Sequence, residues 1–69
     1  MINSIESYAE SGRKAGQAQR RGDSAHATFE RDWFSRALRL EQGADRAAAR
    51  MAWEGAYRDA ATPPRMRLA

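Results

Sequence analysis

His26 and Glu30 are the two side chains with the clearest chemical option, four positions apart on what reads as a helix. That spacing puts an imidazole and a carboxylate on one helical face, where both could reach a metal ion. Two ligands do not define a site, however, and the chain has no other histidine and no cysteine to supply a third. His26 therefore reads as a residue at the edge of the core, and no metal or other cofactor is expected. No Ser, His and Asp constellation, paired carboxylates at general acid–base spacing or phosphate-cradling glycine loop stands out either. The chain is not expected to be an enzyme or to take a small-molecule substrate.

The basic residues offer a second kind of chemistry. Eleven of the twelve are arginine, Lys14 being the exception, and the net charge is +3. Arginine suits planar, bidentate contacts to phosphate. Arg13, Lys14, Arg20 and Arg21 make one basic segment, and Arg46, Arg50 and Arg58 with Arg65 and Arg67 make another; both could meet the phosphates of RNA. The segments bracket an acidic-leaning middle, so the charge is patchy and not uniform. The same residues could equally form solvated helix surfaces, partly neutralised by Glu6, Glu10, Glu54 and Asp59.

Positioning these groups falls to helices. Asn3 followed by Glu6 has the layout of a capping box, which predicts a first helix over about 4–21. Its inward stripe of Ile5, Tyr8, Ala9, Gly12, Gly16 and Gln19 becomes almost bare, and two glycines on one face predict a second helix in close approach. Gly22 suits a left-handed C′ position, and Asp23 or Ser24 the next N-cap, opening a helix over about 24–42. Gly43 and Asp45 repeat that punctuation before a third helix over about 46–61, whose stripe is Ala49, Ala52, Trp53, Ala56, Tyr57 and Ala60. Thr62-Pro63-Pro64 ends it, leaving a basic, flexible tail over 62–69. No strand signal is present.

The expected fold is therefore all-α, a single domain over 1–61 in which short loops make sequential helices antiparallel. The middle helix holds the run from Phe29 to Leu40, FERDWFSRALRL, with three of the six aromatic residues. On a helical wheel Phe29, Trp33, Ala37 and Leu40 share a face, while Phe34 and Leu38 lie roughly 100° further round. Glu30 and Glu41 fall between these arcs and keep them distinct. The first arc is assigned to the core with Tyr8, Trp53 and Tyr57. Phe34 and Leu38, with Glu30 and Glu41 beside them, are left to face a protein partner or a second copy. Dimerisation is the expected remedy for a 69-residue chain with neither disulfide nor metal.

Gly12-x-x-Ala15-Gly16-x-Ala18-x-Arg20 and Arg50-x-x-Trp53-x-Gly55-x-Tyr57-Arg58-x-Ala60 resemble the two helical halves of the ribosome modulation factor family, small basic proteins that bind ribosomes. The resemblance implies ribosome or RNA binding through the two basic segments. This chain departs from the family pattern at Arg13, where the family tends to have an aromatic residue, and at Tyr57, which stands in place of a second Trp, and it places its whole aromatic helix between the halves. A DNA-binding helix-turn-helix across Gly43 fits less well, because its tight turn wants a small residue where Arg39 stands. The leading expectation is a small interaction protein that binds and modulates a protein partner, of the kind common among phage or mobile-element modulators of host machinery. RNA or ribosome binding is the alternative. Neither a signal peptide nor a run of about 18 apolar residues is apparent, so a cytoplasmic protein that does not enter membranes is expected.

Overall fold

Ser4 starts the first helix. Its hydroxyl accepts from the Ser7 N–H at 3.1 Å, one residue later than the Asn3 cap expected from sequence, and α1 runs Ile5–Arg20. At its far end Gly22 adopts φ 77°, the Asp23 N–H reaches the Ala18 carbonyl at 2.8 Å and the Gly22 N–H reaches Gln19 at 3.2 Å. These two bonds form a Schellman motif, which closes α1 and turns the chain back. Asp23 is then the N-cap of α2, Ser24–Arg39, its carboxylate accepting from the His26 N–H at 3.1 Å. The computed structural model describes residues 1–63. The expected tail, with Arg65 and Arg67, lies largely outside the described residues.

The second break is displaced from its expected place. α2 stops at Arg39 and not at Gln42, because the Leu40 and Glu41 N–H groups turn inward to Ala37 and Leu38 in tighter bonds of 3.1 Å. α3 correspondingly starts early and spans Gly43–Ala61. Gly43 has the positive φ (57°) expected of it, but as the first residue of α3. Asp45 is not the cap; it lies in the first turn, where its charge favours the helix N-terminus.

The three helices form a bundle with α1 in the middle, packed extensively on α3, less on α2, while α2 and α3 meet mainly through long side chains. Tyr8 meets Ala37 and Glu41 while Ser11 meets Glu30, so α1 and α2 run antiparallel. Gly12 and Gly16 lie against Trp53 and Tyr57 in step, so α1 and α3 run parallel. The close approach expected at the glycines is observed. A Cβ on Gly16 would sit 2.6 Å from the Tyr57 carbonyl oxygen and 2.7 Å from the Ala60 Cβ, and one on Gly12 would collide with the Trp53 carbonyl. The small-x-x-x-small spacing thus brings two backbones together in a helix pair far too polar to lie in lipid.

α2 is joined to α3 by a column of flat groups. Phe34 stacks on Trp53 (centroids 4.6 Å, planes 7° apart) and Trp53 on Tyr57 (5.3 Å, 6°). The Arg31 guanidinium lies 4.6 Å over the Tyr57 ring and donates to its hydroxyl at 2.6 Å. Tyr8 meets the edge of Phe34 at 6.1 Å. Buried Tyr8, Ala15, Ala37, Leu38, Ala49 and Trp53 make the core, with Trp33, Phe34, Ala52 and Tyr57 around it.

This core corrects the sequence assignment of α2. Leu38 is buried and Phe34 half-buried, so neither is left over for a partner, whereas Phe29 and Leu40 of the supposed core arc are 63% and 59% exposed. The buried face is centred between the two arcs, on Glu30. A carboxylate there reads as a divider in sequence, but hydrogen-bond partners let it sit inside.

Candidate functional site

Glu30 and Glu41, both expected at a partner surface, are buried, and each organises a polar cluster. Around Glu30, the Trp53 indole N–H donates to Ser11 Oγ at 3.0 Å and Ser11 donates to Glu30 Oε1 at 2.9 Å. The other carboxylate oxygen lies 3.1 Å from His26 Nε2, while His26 Nδ1 lies 3.2 Å from an Arg21 guanidinium nitrogen. The possible metal pair of the sequence is therefore a hydrogen-bonded pair. All three helices contribute to this chain of contacts. Its order also bears on its chemistry: Glu30 stands between Ser11 and His26, so the imidazole does not reach the serine, and the hydroxyl is already donor to one neighbour and acceptor to another. A nucleophilic serine needs its base alongside and its oxygen free.

Glu41 gathers the chain's first residues. It accepts from the Tyr8 hydroxyl at 2.7 Å, from the Ile2 N–H at 3.1 Å and from the Asn3 N–H at 3.2 Å. Nearby, the Met1 amino group lies 3.2 Å from Asp45. Burial pushes the Glu41 carboxyl up, but the Tyr8 hydroxyl, the Asn3 and Ile2 amides and the amino-terminal charge outweigh it, leaving the group below its ordinary 4.5. For Tyr8, burial raises the phenol, the Asn3 side chain pulls it back, and Glu41 as acceptor and as charge raises it again, to above the ordinary 10.0. Among the described residues no buried side-chain polar atom lacks a partner. These groups hold the fold together.

The surface of α2 is a different matter. Phe29, Trp33, Arg36 and Leu40 follow one another at spacings of four, three and four, which places them along one stripe of the helix. Phe29 and Leu40 are exposed, Trp33 is half-buried against Tyr8 (5.6 Å), and Arg36 lies exposed between them. Phe29 and Trp33 also form the apolar wall of an open cleft of about 410 Å³, whose opposite side is Ser4, Ser7, Glu10 and Lys14 of α1. Asp32 and Arg39 flank the stripe on its far side from α1, both exposed and neither within 4 Å of an opposite charge among the described residues.

No family model, curated protein or solved structure matches the chain.

Arg13, Lys14, Arg20, Arg21, Arg46, Arg50 and Arg58 are all exposed, as a nucleic-acid surface requires. Three of them have acidic neighbours. Arg13 and Lys14 share Glu10 at 3.5 Å, and Arg21 lies 3.7 Å from Asp23. Of the acidic residues that could neutralise them, Glu6 does not come within 4 Å of Arg13, nor Glu54 within 4 Å of Arg58. Arg58 lies on the far side of α3 from the Ala49 and Trp53 stripe, whereas Arg13 lines an open groove between α1 and α3 with Gln17, Ala56, Asp59 and Ala60. The two segments that resemble the ribosome modulation factor family are α1 and α3, the closely packed pair.

Sequence reasoning missed Ser11, whose hydroxyl serves both Trp53 and Glu30, and Arg31, which caps the ring column. Ser11 lies three residues after Tyr8 on the inward side of α1, and that placement was its one signal. Arg31 carried none, since a guanidinium that stacks on a ring looks in sequence like any solvated one.

Proposed function

We propose that this protein is a small, non-enzymatic binding module that acts by docking the outer face of α2 on a protein surface and so modulating that partner. The observation that carries this reading is the apolar stripe of Phe29, Trp33 and Leu40, of which the chain's own helices leave Phe29 and Leu40 exposed and Trp33 half-buried. Large exposed side chains in helical register are what helix-mediated recognition uses. The side chains with catalytic potential support it too, because Ser11, His26, Glu30 and Glu41 are committed to internal hydrogen bonds. Among the described residues no helix is long and apolar enough to cross a membrane.

An affinity pull-down from lysate, with and without nuclease and at low and high salt, tests the proposal when the wild type is compared with a Phe29→Glu/Leu40→Glu variant. Far-UV circular dichroism of the variant should match the wild type, since both positions are exposed. A protein retained by the wild type at high salt and lost from the variant is the expected result. Equal capture by both proteins contradicts it.

RNA or ribosome binding is the second reading, favoured by Arg20, Arg46, Arg50 and Arg58, which have no acidic partner within 4 Å among the described residues. It is distinguished by a steep loss of binding with salt and by its abolition in Arg50→Glu/Arg58→Glu.

A further inference from the structure

We infer that the occupant of the α2 face is a second copy of the same chain, docked antiparallel through a two-fold axis near the middle of α2. The inference rests on the docking reading above and names its partner. A two-fold interface must be complementary to itself, so each group on the stripe needs its match at the mirrored position of the same helix. The sequence of the stripe meets that condition. Phe29 and Leu40 lie equally far on either side of the centre, roughly 16 Å apart at the rise of an α-helix, and pair Phe29 with Leu40 of the second copy at both ends. Trp33 and Arg36 pair likewise in the middle, with a guanidinium over an indole in each layer.

The spacings of four, three and four make these residues successive core positions of a short coiled-coil seam. Asp32 and Arg39 are then flanking positions one heptad apart. In the antiparallel arrangement Asp32 of one copy faces Arg39 of the other, twice over. Neither has an ion-pair partner within its own chain among the described residues, although Asp32 and Arg36 have the spacing to make one. A parallel pairing would instead set Arg36 on Arg36 in the middle of the seam, where like charges repel. The other flank of the stripe is occupied by Glu30 and Ala37, which face into the bundle, so α1 leaves this side of α2 open to one partner helix only.

The test is sedimentation equilibrium of the wild type, Asp32→Arg, Arg39→Glu and an equimolar mixture of the two variants, over tens to hundreds of micromolar in low salt. Both substitutions are at exposed positions, and circular dichroism checks that each variant remains helical. The wild type should reach twice its 7.7 kDa chain mass. Each variant alone should dissociate at concentrations at least tenfold higher, since its flanks carry one sign of charge. The mixture should recover the dimer, because one chain then carries two arginines and the other two acidic residues at the facing positions. A monomeric wild type overturns the dimer but leaves the docking reading to the pull-down. A dimer indifferent to both variants, or one that the mixture fails to restore, overturns this arrangement.

Discussion

Buried carboxylates fix this bundle, and each does so through partners drawn from distant parts of the chain. Ser11 shows the dependence most sharply: Ser11→Ala strands both the Trp53 N–H and one oxygen of Glu30. Its expected destabilisation is about 1–3 kcal/mol, read by urea unfolding. Glu41 and Tyr8 give the pH dependence. A carboxyl held below 4.5 stabilises the folded state above that pH, and this contribution disappears as pH falls from 4.5 through the lower folded value. Tyr8 has the opposite sign: its raised pKa favours the folded state below pH 10.0, and that preference is lost as pH rises past it. Thermal unfolding followed from acid to alkaline pH should show both losses, and Glu41→Gln should lower the melting temperature at neutral pH while flattening the acid limb. The glutamates are also where sequence and structure part. Patterning treats Glu30 as a boundary between apolar arcs, but Ser11 of α1 joins His26 in turning it into the middle of the buried face, and no helical wheel of α2 alone contains Ser11.

At the scale of elements, the helix punctuation was legible because glycine and short polar residues act locally. Gly22, Asp23 and the glycine pair of α1 sit where local rules put them. The turn between α2 and α3 was misplaced by about three residues because Glu41 is drawn to Tyr8 and to the first residues of the chain, a long-range contact that overrides the local signal. Two glycine substitutions should differ in sign. Gly16→Ala drives a methyl into the α3 backbone and should destabilise by about 1–3 kcal/mol or more. Gly55→Ala meets nothing within 4 Å and should stabilise by about 1 kcal/mol through helix propensity. Differential scanning calorimetry of the pair reads both. Phe34→Asp, which a surface position would tolerate, should instead abolish the cooperative transition, since Phe34 is stacked on Trp53.

Across the whole molecule, the fold class followed from the helix signals, but the face that helices leave uncovered did not. Exposure of Phe29 and Leu40 is decided by where α1 lies against α2, and α1 is drawn to the Glu30 side by its own Ser11 and Tyr8. Exposed basic residues of α1 and α3 and one apolar stripe on α2 then remain as surfaces on which a macromolecule can dock. The most direct test between them is a map of backbone amide chemical shifts as protein concentration is raised, or as a captured partner is added. Shifts concentrated at Phe29, Asp32, Trp33, Arg36 and Leu40 are the expected result. Shifts concentrated instead on the outer face of α3, at Arg50, Met51 and Arg58, would contradict the assignment of the docking surface to α2.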